Sequence, residues 1–125
     1  MPKQSPTIRW TDKKQFIGTD SGNHSIVISS HDRDNHTGMK PSELMLLSLG
    51  SCSGYDVVDI LQKKRVELEE MRIEFSSEQD PDPPWTFRKI NMIFYLKGKG
   101  LTEKAARQAI ELSIEKYCSV AATIS

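Results

Sequence analysis

Neither sign of charge is in excess: Lys plus Arg number 17, and so do Asp plus Glu. With no basic stripe to meet a polyanion, no nucleic-acid partner is expected. Long apolar runs are also missing. The opening MPKQSPTIRW has no apolar signal core, and the strongest apolar run, Leu44–Leu49, is far too short to span a bilayer. The chain therefore reads as soluble and cytoplasmic, with no membrane partner. Cysteine is scarce, two in 125 residues, which excludes the disulfide-dense framework of small secreted domains. A lone pair of thiols in a reducing cytosol is more often catalytic than structural. No CxxC pair occurs, and His24, His31 and His36 lack the spacing to cysteine of a zinc site, so neither metal nor cofactor is expected. There is no repeat or low-complexity tract, and the length suits one domain, 1–125.

What is present is a change of period along the chain. Thr7–Trp10, Gln15–Thr19 and Ser25–Ser29 read as short strands separated by polar turns at Asp12-Lys13-Lys14 and Asp20-Ser21-Gly22-Asn23, a three-stranded antiparallel meander. His31–Met39 has neither period and is expected to be a loop. Pro41 suits the first turn of a helix and Glu43 favours the positive end of its dipole. A helix from about Pro41 to Lys64 follows, and its apolar residues, from Leu44 to Leu61, run nearly all the way round. Such a helix is expected to be buried. At about 36 Å it is longer than a fold of this size easily encloses, which predicts cover from a second subunit. Period two then returns: Met71, Ile73 and Phe75 share one face, as do Ile90, Met92, Phe94 and Leu96 after the proline-rich break at Pro81, Pro83 and Pro84. Thr102 can cap a last helix on which Ala106, Ala109, Ile110, Ser113, Ile114 and Tyr117 recur at helical spacing, delivering Cys118 at its end.

Cys52 sits in Ser48-Leu49-Gly50-Ser51-Cys52-Ser53-Gly54, where small side chains crowd round the thiol. Small neighbours would let a ligand approach, and they would equally permit tight helix packing around an inert cysteine. On the residues alone both readings stand. A thiol with an ordinary pKa of about 8.5 is only a few per cent thiolate at neutral pH, so a reactive cysteine needs a cation nearby. Cys52 lies too far from Pro41 for the helix dipole to supply it. Arg33, in the loop before the helix, is the candidate, since a guanidinium also offers forked donors. The competing reading places Arg33 in a solvated cluster with Asp32 and Asp34. Asp56, one turn after Cys52, would oppose thiolate formation if its carboxylate were close. A Cys–His hydrolase would instead use His31 or His36 as base.

The segment GMKPSELMLLSLGSCSGYDVVDILQKKR resembles the central helix of the OsmC/Ohr family, and KYCSVA resembles the family's second cysteine motif. With the meander before and the strand pair between, the resemblance covers essentially the whole chain, and DVVDIL places it nearest an OsmC-like branch. It implies an α+β, OsmC-like fold: antiparallel sheets packed on a long buried central helix, in an entwined homodimer with each active site at the interface. It also implies that Cys52 is the peroxidatic thiol, Cys118 the resolving thiol and Arg33 the activating loop arginine. The expected activity is a thiol-dependent peroxidase acting on organic hydroperoxides and restored by a dithiol reductant. Leu49 and Tyr55, near Cys52, would favour alkyl substrates.

Two departures accompany the resemblance. Better-known members carry glutamate directly after the helix-starting proline to hold the arginine; here Ser42 stands there and Glu43 one place later, turned by about 100° on a helix. Relatives also continue into a further strand where this chain stops at Ser125, so it reads as a shortened or incomplete copy. The alternative function is a non-catalytic OsmC-like dimer that binds an apolar ligand or partner in the same cleft.

Overall fold

The computed structural model describes residues 5–117. Eight elements follow in order: β1 (Thr7–Asp12), β2 (Gln15–Thr19), β3 (Ser25–Ser29), α1 (Pro41–Lys63), β4 (Glu67–Gln79), β5 (Phe87–Lys99), α2 (Glu103–Leu112) and a π-helical turn, Ser113–Tyr117. They fall into two compact units, one ending at Met45 and the other starting at Leu46. The class is α+β, as the resemblance implies.

In the first unit β1, β2 and β3 form the expected antiparallel meander. Its turns follow local chemistry. Lys13 and Asn23 take positive φ, and Asp20 Oδ1 accepts from the backbone N–H groups of Gly22 and His24, each at 2.8 Å. Register pairs Trp10 with Phe16 and Phe16 with Ile28, and sets Gly18 between Ile8 and Ile26, so these apolar residues share one face. Trp10 is 63% exposed, and Ile8 and Ile26 are exposed as well.

The second unit is a helix on a two-stranded sheet. β4 and β5 pair antiparallel along their length, with Met71 opposite Leu96, Ile73 opposite Phe94 and Phe75 opposite Met92. These are the residues that the period of two assigns to one face. The other face carries Arg72 opposite Tyr95, the guanidinium carbon 4.4 Å from the ring centroid. Val57, Leu61, Val66 and Ala109 make the buried core, with Met71, Phe94 and Leu96 packed against it. α1 ends in a Schellman motif: Arg65 takes φ 62°, Val66 N–H donates to Leu61 at 3.0 Å and Arg65 N–H donates to Gln62 at 2.9 Å. Val66 and Leu61 then meet in the core.

Within one chain Leu46, Leu49, Gly50, Ser53, Gly54, Val57 and Leu61 of α1 form a single buried stripe, while Leu47 and Tyr55 are 47% and 75% exposed. One two-stranded sheet offers one surface, so it covers one side of a helix. By length and composition alone α1 could cross a membrane, a test that a buried core helix passes as well. One expectation needs correction: the final helix does not continue in α form to Tyr117. It passes into the π turn at Ser113, and Ile114 is exposed.

Candidate active site

Cys52 lies on α1 in the second unit. It is half-buried and packs, with Ile90 and Met92 of β5, against the buried Leu49. The surroundings of the thiol are therefore partly apolar, as Leu49 predicts. Tyr55, expected to join them, instead stands among the most exposed side chains.

The small residues flanking Cys52 have a definite packing role. A Cβ on Gly50 would stand 2.5 Å from Phe75 Cζ, and one on Gly54 would stand 3.3 Å from Met71 Cε. Ser53 between them is fully buried. Gly50 and Gly54 thus let the inner face of β4 lie close against α1, a packing use of these two glycines that leaves the chemistry of Cys52 itself undecided.

Ser113 reaches the same stretch of helix from the other side. Its hydroxyl donates to the carbonyl of Ser53, the residue after Cys52, at 2.9 Å, and both serines are fully buried. The Asp56 carboxylate is directed toward this end of α2, with Oδ2 3.5 Å from Ser113 Oγ. Thr102 caps α2 as expected, its side chain accepting from Ala105 N–H at 3.1 Å. Cys118 follows the π turn directly and lies outside the described residues.

Arg33 and Glu43 belong to the first unit. Arg33 is exposed in the loop between β3 and α1, and Glu43 is exposed in the first turn of α1. The Arg33 loop is closely knit by its own side chains. Asn35 is buried; its Nδ2 donates to Asp32 Oδ1 at 2.6 Å and its Oδ1 accepts from Lys14 N–H at 3.0 Å. Ser30 Oγ donates to Asp32 Oδ2 at 2.9 Å, and Lys14 Nζ approaches the same oxygen at 3.8 Å. The Asn35 amide, followed by the Ser30 hydroxyl, holds the Asp32 carboxyl below its usual range. Asp32 is thereby engaged by Asn35, Ser30 and Lys14. Ser29 Oγ accepts from Gly38 N–H at 2.9 Å, and Met39 N–H donates to Val27 O at 3.0 Å, closing the loop onto β3.

His31 and His36 bracket Arg33 and stack with ring centroids 4.2 Å apart. His31 Nε2 lies 2.7 Å from Gly38 O; a carbonyl only accepts, so that nitrogen donates. His31 is in this way used inside the loop. Two residues that shape these regions escaped the sequence-based selection of site residues. Asn35 could have been sought as a turn-forming amide after Asp32. Ser113 was visible as a polar residue on the apolar face of the last helix, where a buried hydroxyl needs a partner.

Comparison with known proteins fits this architecture. The chain is 35% identical over 114 residues to Protein YhfA of Escherichia coli strain K12, covering 91% of this chain and 84% of that protein. It superposes on the crystal structure of a hypothetical protein from Aquifex aeolicus VF5 with a TM-score of 0.86 and 34% identity, covering 99% of this chain and 88% of that one. The organic hydroperoxide resistance protein OhrB of Bacillus subtilis shares the fold at a TM-score of 0.60 and 17% identity, over 96% of this chain and 90% of that one. A family model described as OsmC-like protein matches residues 33–125, a span that holds α1 with Cys52, the β4–β5 sheet and α2, and the chain belongs to the OsmC-like family.

Proposed function

We propose that this protein is a thiol-dependent peroxidase that reduces organic hydroperoxides. The observation that carries the reading is the setting of Cys52, half-buried against Leu49 with Ile90 and Met92 beside it, where an alkyl group can leave water as the thiol meets the O–O bond. The Cys52 thiolate attacks the terminal peroxide oxygen; the O–O bond breaks, the alkoxide leaves and takes a proton to become an alcohol, and Cys52 becomes a sulfenic acid. The Cys118 thiol attacks that sulfur, forming a disulfide and releasing water. A dithiol reductant then returns both thiols and is itself oxidised to a disulfide. Arg33 favours the thiolate, with Glu43 in support.

The working unit in this reading is a cytoplasmic homodimer of single OsmC-like domains. Leu47 and Tyr55 on α1, and Ile8, Trp10 and Ile26 on the meander, are exposed apolar residues of the kind that a second copy covers. A second reading has one observation in its favour: Gly50 and Gly54 are accounted for by close packing against Phe75 and Met71, with no reference to thiol chemistry. It is a non-catalytic dimer that binds an apolar ligand or partner.

Thiol titration before and after one equivalent of cumene hydroperoxide separates the two. The peroxidase loses two thiols rapidly; the binder loses none. Cys52→Ser abolishes peroxide consumption, whereas Cys118→Ser reacts once and accumulates sulfenic acid or over-oxidises. Equal single-turnover reactivity of the two variants would overturn the assignment.

A further inference from the structure

We infer that Met92 is an oxidative modification site: the apolar seat beside Cys52 holds the alkyl part of an organic hydroperoxide against the Met92 thioether, which the peroxide converts to a sulfoxide. The inference rests on the organic hydroperoxide reading proposed above.

Met71 and Met92 stand on the same inner face of the β4–β5 sheet and are both half-buried, but their surroundings differ. Met71 packs against the main core of Val57, Leu61, Val66 and Ala109. Met92 packs instead against Leu49, the residue against which Cys52 and Ile90 also pack. Opposite Met92 in register is Phe75, whose ring takes the space beside Gly50 on the same turn of α1. Met92 thus brings a second sulfur to the cluster that holds the Cys52 thiol.

A thioether carries no proton to lose, so Met92 needs no activating cation, in contrast to a thiol. A sulfur lone pair attacks the terminal oxygen of the hydroperoxide. The S–O bond forms as the O–O bond breaks, and the proton of the terminal oxygen passes to the leaving alkoxide. The products are methionine sulfoxide and an alcohol; sulfur has lost the electron pair that the peroxide has gained. Holding the peroxide in place raises the rate of this step over that at a thioether met by diffusion. The sulfoxide is polar, and it stands where Leu49 and Ile90 offer apolar neighbours. Oxidation therefore loosens the contact between β5 and the turn of α1 that carries Cys52, and reduction of the sulfoxide reverses it.

Exposure alone predicts a different order of oxidation. Met39 is 45% exposed, whereas Met92 and Met71 are half-buried. Met71 is also a control for burial, since it shares the face of Met92 but lies in the other cluster.

The test is sulfoxide mapping by peptide mass spectrometry on the full chain carrying Cys52→Ser and Cys118→Ser, so that no thiol consumes the oxidant. Hydrogen peroxide, which has no alkyl group, should oxidise Met39 ahead of Met92. Cumene hydroperoxide should raise the ratio of Met92 to Met39 oxidation by about tenfold, a modest gain in effective concentration, and leave Met71 behind. Adding Met92→Leu, which conserves volume, should remove the fall in thermal midpoint that cumene hydroperoxide causes. A ratio that stays the same with both oxidants would overturn the inference, as would equal oxidation of Met71 and Met92 or a thermal loss that persists in Met92→Leu. Alanine at both cysteines allows the same mapping if the serine variant does not fold. A wild type whose thiols ignore cumene hydroperoxide, with Met92 still preferred, would sink the peroxidase reading and leave the Met92 site standing. Rapid thiol loss in the wild type with no preference for Met92 would do the reverse.

Discussion

Phe75 occupies the space that a side chain on Gly50 would need: its ring carbon Cζ lies 2.5 Å from the position of a Cβ there. At Gly54 the nearest atom is the flexible end of Met71, at 3.3 Å. The two glycines share a helix and a buried stripe, so the same substitution has opposite outcomes. Alanine gains about 1 kcal/mol of helix propensity at either site. At Gly50 it also forces a packed ring to move, for a net loss of about 1–2 kcal/mol. Gly54→Ala should be neutral or stabilising. Denaturant melts of the two variants check this, and equal losses would show that the ring yields as easily as the thioether.

Arg33 is tested through the thiol it is proposed to activate. In a Cys118→Ser background, Arg33→Ala should raise the pH at which Cys52 alkylates by on the order of one pKa unit, about 1.4 kcal/mol of lost preference for the thiolate. Arg33→Lys should recover part of the thiolate population and less of the peroxide rate, since it restores charge without the forked donors. An alkylation profile and peroxide rate that do not move in Arg33→Ala would place the activating cation elsewhere.

Dimerisation is tested on the exposed side of α1. Sedimentation at micromolar concentration should give a dimer, and Leu47→Glu with Tyr55→Glu should weaken it by tenfold or more, because two charges would have to be buried unpaired. A stable, folded wild-type monomer would defeat the expectation.

Asp32 gives the Arg33 loop a sign of pH dependence. Its folded pKa is lowered, first by the Asn35 amide and then by the Ser30 hydroxyl. The stabilisation is therefore complete above the ordinary carboxylate value of about 3.9 and is lost as pH falls through the lower folded value. Asn35→Ala should move the Asp32 titration back toward the ordinary range, as read by carboxyl NMR. Titration at an unchanged pH would assign the shift to another neighbour.

How much of this was legible in the sequence depended on whether the signal was local. The alternation Met71-Ile73-Phe75 against Ile90-Met92-Phe94-Leu96 reports a one-sided sheet directly, and Thr102 announces its cap. The crowd of small residues round Cys52 was legible as a feature but not as a cause. Close packing and open access ask for the same glycines, and only the approach of Phe75 decides between them at Gly50. The exposure of Tyr55 was not legible for a related reason: apolar periodicity marks faces without saying which of them one chain can cover. The π turn at Ser113 had no signal, because its residues suit an α-helix equally well. The tip of the β4–β5 hairpin was also hidden. There Arg88 clasps Asp80 through Nε and Nη2 at 3.0 and 2.7 Å, a pairing set by how the strands end.

The β4–β5 ribbon has one more consequence. Each strand is 13 residues long, and among the described residues each pairs only with the other. Between the irregularities at Leu68–Glu70 and Glu78–Gln79, every second peptide group along both outer rims therefore points away from its neighbour, and a long rim of this kind is a template on which an extended chain can add. Charged side chains are frequent along both strands, Glu67, Glu69, Lys89, Lys97 and Lys99 among them, and such charges act as gatekeepers against indiscriminate growth. In a newly made chain, before the rest of the fold has formed, such charges oppose strand addition where the core cannot.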